Sequence, residues 1–220
     1  MWHASETRAP ATGTLAARVQ QILGDMYTVA RHSRFVRDLT HGRLPVAAYA
    51  ELTAQHWFVY ESLELATTAM ADDPVAGRFC FPELFRIPAL ESDLRFLHGP
   101  RWQSRMAALP ATTTYCTRIR SAAFDRATGY VAHHCTRYLH DLDGGQWLGA
   151  AVLEAYRFRR QGYRFFVFEG VDPELFRARY RNRLDVIPWN RAERETFLAE
   201  VAAAAQLNLD LLTDLENRWT

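Results

Sequence analysis

The chain has 220 residues, 49% of them hydrophobic, and a formal net charge of +1. That is material for one substantial core, without the basic excess that favours nucleic acid. No apolar run approaches the ~18 residues of a membrane span, and the opening MWHASETRAPATG has no basic segment followed by an apolar one, so neither a span nor a secretory signal is expected.

Residues 1–12 are expected to be a flexible N-terminus and 13–220 a single domain. Thr14 is placed to cap a helix running to about Leu39, with Leu15, Val19, Ile22, Leu23, Met26 and Val29 or Ala30 as its buried stripe. Gln20, Tyr27 and Arg31 share a neighbouring face, because positions four and seven apart stack on a helix. Gly42 marks a stop. Pro45 suits the first turn of a second helix, PVAAYAELTAQHWFVYESLELATTAMA, whose Trp57, Phe58 and Tyr60 have the character of core.

An irregular, Phe- and Pro-rich loop follows to Pro88, then a short helix over about 89–98, broken by His98, Gly99 and Pro100. Pro110 starts another helix before a turn at Gly129. From Gly129 to Tyr156 apolar residues recur at helical spacing, yet Gly144 and Gly145 sit side by side in the middle. Each costs about 1 kcal/mol relative to alanine in a helix interior. Either the missing Cβ atoms let a bent helix lie against a flat ligand, or the helix ends at Leu142 and the pair forms a cap and turn.

RFRRQGYRFFVFEGVD is expected as a connection packed on the core. Asp172 then caps a helix with Pro173 at its first position, ending near Pro188, and a last helix runs from about Arg191 to Asn217 with an alanine run that permits close approach. No strand pattern competes. Cys80, Cys116 and Cys135 have no CxxC spacing, which fits a reducing, cytoplasmic setting without a disulfide framework or a structural zinc site. Every basic residue is arginine, so a lysine Schiff base is excluded and an anionic ligand must be met by guanidinium. Arg177 and Arg181, four apart, share one helix face; they can address an anionic ligand or form a solvated basic face pairing with Glu174 or Asp185.

The stretch His133 to Gln146, HHCTRYLHDLDGGQ, resembles the distal-helix signature HHxxRYLGDLSGGQ of the heme oxygenase family. HSRFVRDLTHGRLPVAAYAEL, FVYESLELA, FFVFEG, FRARYRNRL and QLNLDLL fall in the family's order and spacing, so the resemblance covers most of the chain. It implies an all-α, single-domain bundle with heme, both substrate and cofactor, held between the first helix and a glycine-kinked central one. It also implies oxidative cleavage of heme to biliverdin, CO and iron, with electrons from a reductase or ferredoxin.

By the same carry-over Asp141 organises proton delivery with Tyr60, Arg137 and Asn208. Gly144 and Gly145 lie over the ring, and Arg177 and Arg181 bind its propionates. Three positions depart from the pattern. Tyr27 stands where the family has its proximal histidine, Gln20 where it commonly has a basic residue, and His140 where it has glycine; Asp143 also replaces a serine. Tyr27 or His140 is therefore the candidate axial ligand, since tyrosinate can hold ferric heme. His32 would point about 140° away from Tyr27 on an ideal helix, and His41, His56 and His98 are expected as ordinary core or surface residues. The alternatives are a protein that binds heme or a bilin without turnover, or a dimetal oxidase built on His134, His140, Asp141, Asp143, Glu61 and Glu64, which lack the Glu-x-x-His pairs of bundle di-iron sites.

Overall fold

The structure, a computed structural model, describes residues 13–159 and 161–220, and the described residues contain helices and connections but no strand. The expected flexible segment 1–12 lies outside the described residues. Thr14 accepts a hydrogen bond from the backbone N–H of Ala17 and starts α1, Leu15–His32, which buries Leu15, Ala16, Val19, Leu23, Met26 and Ala30 and leaves Val29 exposed.

The predicted single helix to Leu39 is two. Ser33 ends α1, with its N–H bonded to the carbonyls of Val29 and Ala30, and its Oγ caps α2, Arg34–Thr40, by accepting from Val36 N–H. The Phe35 N–H freed by the break is taken by Glu216 Oε2 at 3.2 Å, which satisfies a donor that burial would otherwise penalise.

Pro45 precedes α3, Val46–Ala69. Then come α4, Ile87–His98, and α5, Pro110–Ala123. The central segment forms α6, Ala127–Asp141, and α7, Gly144–Tyr156. Asp172 caps α8, Pro173–Asp185, by accepting from Glu174 and Leu175 N–H, and a capping box of Asn190 and Glu193 starts α9, Arg191–Trp219.

The chain is built around α6, which is buried on almost every side and packs against α9 and α5. Gly129 is not a turn, as expected, but lies inside α6. A Cβ there would sit 1.8 Å from the Ala122 carbonyl oxygen, so glycine is what lets α5 and α6 touch backbone to backbone. A helix buried all round has to pair its polar side chains internally. His134 Nδ1 meets Tyr180 Oη at 3.0 Å, and His133 Nε2 meets Glu200 Oε1 at 2.9 Å. Burial would raise the Glu200 carboxyl, but His133 and Arg118 overcome it and hold the group at about 2.

The central helix does end, but not on the glycine pair. Leu142 and Asp143 make the turn, their N–H groups bonding to the Tyr138 and His140 carbonyls, and Gly144 and Gly145 open the next helix. Gln146 fixes this break by donating from Nε2 to the carbonyls of Asp141, at 3.1 Å, and Phe166, at 3.0 Å. The 157–171 connection packs on the core as expected: buried Asp93 accepts from Arg164 and Phe165 N–H, and Phe165 and Phe166 are buried.

Candidate functional site

The α6–α7 break faces α1 across a cleft that Tyr27 divides. On one side lies a cavity of about 190 Å³ walled by Val19, Leu23, Leu139 and Leu184, with Gln20, Arg177 and Arg181 at its edge. On the other lies a cavity of about 50 Å³ lined by Leu52, His56, Leu148, Phe166, Arg137, Asp141 and Asn208. Tyr27, His140 and Gly144 line both. The Tyr27 ring rests directly on Gly144, in space that a Cβ there would invade, coming 2.2 Å from Cε2. Its centroid is 5.8 Å from that of His140, edge to face. The two cavities thus adjoin at this one half-buried ring and together make a slot that Tyr27 interrupts.

The deep end of the slot is polar. Tyr60 on α3 donates its hydroxyl to Asp141 Oδ2, and Arg137 Nη1 donates to Asn208 Oδ1. Arg137 Nη2 stands 3.8 Å from Asp141 Oδ1, and its guanidinium is 5.1 Å from the centre of the Tyr60 ring. Asn208 Nδ2 donates to the Met26 thioether Sδ at 3.7 Å, tying the cluster to α1. Burial raises the Asp141 carboxyl well above the usual carboxylate range, which favours its neutral form. Arg137 Nε and Nη2 are buried without a hydrogen-bond partner among the described residues. Donors left in this state beside a cavity mark a place for solvent or ligand acceptors.

Tyr60, Arg137, Asp141 and Asn208, separated by up to 148 positions in sequence, thus form one cluster. Tyr60 lies behind Asp141 and does not line the cavity, so it positions the carboxyl. His140 is neutral, its imidazolium disfavoured first by burial and then by Arg137, which together bring it down to about 4. Arg181 reaches the cleft with no ion pair among the described residues. Arg177 pairs with Asp143, and Asp185, one of its expected partners, accepts from the Ala16 N–H instead. His32 bonds its Nδ1 to the Thr28 carbonyl at 2.7 Å, exposed and outside the cleft.

His56 was expected as an ordinary residue, yet it lines the polar cavity with its ring 4.9 Å from that of Phe165. Burial keeps it neutral, the coulombic effect of Arg137 acting in the same direction. The signal that could have found it is its place four residues before Tyr60 on one helix face. Among the described residues no group of three or more His, Cys, Asp and Glu side chains is arranged to hold a metal ion, which removes the basis for the dimetal alternative.

A helical domain with a slot between apolar side chains, bare glycine backbone on one wall, two guanidinium groups among its lining residues and a buried carboxyl at the other end has the chemistry to receive a flat, anionic ligand. The heme oxygenase family model matches residues 13–214. Heme oxygenase 1 of Synechocystis is 30% identical over 203 residues, covering 92% of this chain and 85% of that protein, and human heme oxygenase 1 is 30% identical over 210 residues, covering 94% and 73%. The solved structure of the Synechocystis heme oxygenase-1 in complex with heme superposes with a TM-score of 0.87 at 29% identity, covering 93% of each chain. That of the Leptospira interrogans heme oxygenase gives 0.83 at 31% identity, covering 90% of this chain and 98% of the other. The chain belongs to the heme oxygenase family.

Proposed function

We propose that this heme oxygenase holds heme in the slot between α1 and the α6–α7 break and uses Asp141 as its proton donor. The observation that carries the assignment is the buried Asp141 carboxyl, held by Tyr60, opening on a cavity that the bare backbone of Gly144 and Gly145 also lines. The residues fit the group. Both faces of the slot are apolar, Gly144 has no side chain to hold a ring away, and Arg181 and Arg177 stand at one edge for two carboxylates.

Bound heme supplies the iron at which dioxygen is activated and the ring carbon that is oxidised, yielding biliverdin, CO and iron. The chain's own residues do the rest. Tyr60 fixes the Asp141 carboxyl from behind, and Arg137, anchored by Asn208, keeps two donors free to order solvent beside it. Tyr27, the α1 side chain packed on Gly144, would be the residue to hold the iron, and a tyrosinate ligand would favour the oxidised metal. His140 faces it from the opposite wall with a free neutral imidazole. Electron supply then falls to a reductase or ferredoxin strong enough to reduce tyrosinate-held iron. Three unpaired thiols support a cytoplasmic setting for it.

The test is the visible spectrum of protein loaded with one equivalent of hemin, followed in air after adding a reductant and a trap for free peroxide. Loss of the Soret band with growth of a broad red bilin band is expected. A Soret band that persists would overturn the assignment.

A further inference from the structure

Asp143 has no part in that scheme. It holds the N-cap position of α7, where a carboxylate can bond to backbone N–H groups and meet the positive end of the helix dipole, yet its side chain caps nothing. Its carboxylate instead crosses the rim of the cleft to Arg177 Nη1 on α8. The Arg177 Nε beside it is buried and has no acceptor. Of the two guanidinium groups at the cleft edge, Arg181 has no ion pair among the described residues, while Arg177 is already neutralised by the protein itself.

We propose that Asp143 is a built-in competitor for the carboxylate subsite at Arg177, and so determines how strongly the cleft distinguishes a tetrapyrrole with free carboxylates from one whose carboxylates are masked. The inference rests on the heme reading of the cleft. A ligand carboxylate gains the Arg177 fork only by displacing the Asp143 carboxylate, so the net gain at this subsite is the difference between two similar ion pairs. Arg181 has no such rival and gives its full contribution. Asp143 is 72% exposed and Arg177 24%, so the displaced group is received by water and the exchange needs no rearrangement of the core. A linear tetrapyrrole product carrying the same carboxylates meets the same competitor, and Asp143 weakens its hold as well.

The experiment is titration of hemin and of hemin dimethyl ester, solubilised identically, into the native chain, Asp143→Ser, Arg177→Gln and the double variant, read at the Soret band at low and high salt. Asp143→Ser is expected to tighten hemin about fivefold at low salt, the upper range for a partly exposed pair, and to lose most of that gain at high salt. It should leave the ester unchanged, and in the Arg177→Gln background it should change nothing. Unchanged hemin affinity would overturn the proposal. So would an equal gain for the ester, or a gain that survives without Arg177, since either would mean general repulsion in place of competition. If the native chain bound no hemin at all, the reading of the cleft would fall and this inference with it; normal hemin binding indifferent to residue 143 would sink only the inference.

Discussion

Replacing Asp141 by asparagine separates proton donation from every other role of the site. The side chain is 3% exposed and its Oδ2 accepts the Tyr60 hydroxyl, a bond the asparagine carbonyl keeps. Burial favours the neutral form of the carboxyl, and asparagine is neutral and of the same shape, so the variant introduces no uncompensated buried charge. Hemin affinity is expected to stay within about twofold, because the residue lies away from the arginine edge, whereas loss of a positioned general acid costs on the order of 10²–10⁴ in rate.

The pH dependence carries a sign. A raised acid is fully protonated below its unfolded pKa and is lost as donor as pH rises through the folded one. Native turnover should therefore fall on the alkaline side, and the variant should lack that limb. Asp141→Ala is the contrasting case. It leaves the Tyr60 hydroxyl buried without an acceptor, at about 1–3 kcal/mol, and should lose stability as well as rate. The assay is single-turnover decay of the Soret band under a fixed reductant, alongside urea unfolding. An Asp141→Asn variant that binds hemin and turns over within about threefold of the native chain would refute the reasoning.

Further expectations concern other links of the same structure. Tyr27→Phe keeps the ring on Gly144 but removes the ligand oxygen, so ferric hemin should bind more weakly and lose its tyrosinate charge-transfer absorption, while Tyr27→His should shift the optical and EPR spectra to a histidine-ligated form; an unchanged spectrum in the phenylalanine variant would transfer the iron to His140. Gly129→Ala drives a Cβ into the Ala122 backbone and should destabilise the fold by about 3 kcal/mol in urea. Gly145→Ala, whose nearest new contact is Asp141 Cβ at 3.4 Å, should leave the empty protein as stable as before and weaken hemin binding alone. Glu64 is pushed up to about 7 by burial against the opposing bonds from Arg86 and Ile87 N–H. Its contribution is complete below the unfolded pKa of 4.5 and is lost as pH rises to about 7, up to about 3 kcal/mol, so Glu64→Gln should flatten the fall in stability between pH 4.5 and 7.

How far the sequence could be read depended on whether local chemistry or tertiary contact decided each element. The starts of α1, α8 and α9 follow from cap residues that bond within their own first turn, so Thr14, Asp172 and Asn190 announce them. The break at Ser33 is different. Apolar residues continue through it at helical spacing, and what rewards the interruption is Glu216, 181 positions away, meeting the Phe35 N–H. Gly129 misled for the same reason: glycine is a turn former by local preference, while its use here is the approach of α5 and α6. That Tyr60, Arg137, Asp141 and Asn208 belong together was legible through the resemblance, but His56 carried no motif, and the partner of Arg177 was visible only once Asp143 and α8 were side by side.

The departures from the family pattern are not scattered in space. Tyr27, His140 and Asp143, with Gln20, all line the same cavity, whereas Arg137, Asp141 and Asn208 line the other and are the residues the motif requires, Tyr60 supporting Asp141 from behind. Tyr27 and His140 touch through their rings, Tyr27 rests on Gly144, and all three line both cavities. A larger side chain at 140 and a tyrosine at 27 therefore share one space, and a change at either alters what the other packs against. Residues in contact do not vary independently in their energetic effects. On the proposed reading, the half of the slot that delivers protons keeps the expected residues, while the departures gather in the half proposed for iron and carboxylates. Restoring histidine at 27 alone leaves His140 facing a ring of different size, so the double replacement with glycine at 140 should depart from the sum of the single ones in hemin affinity.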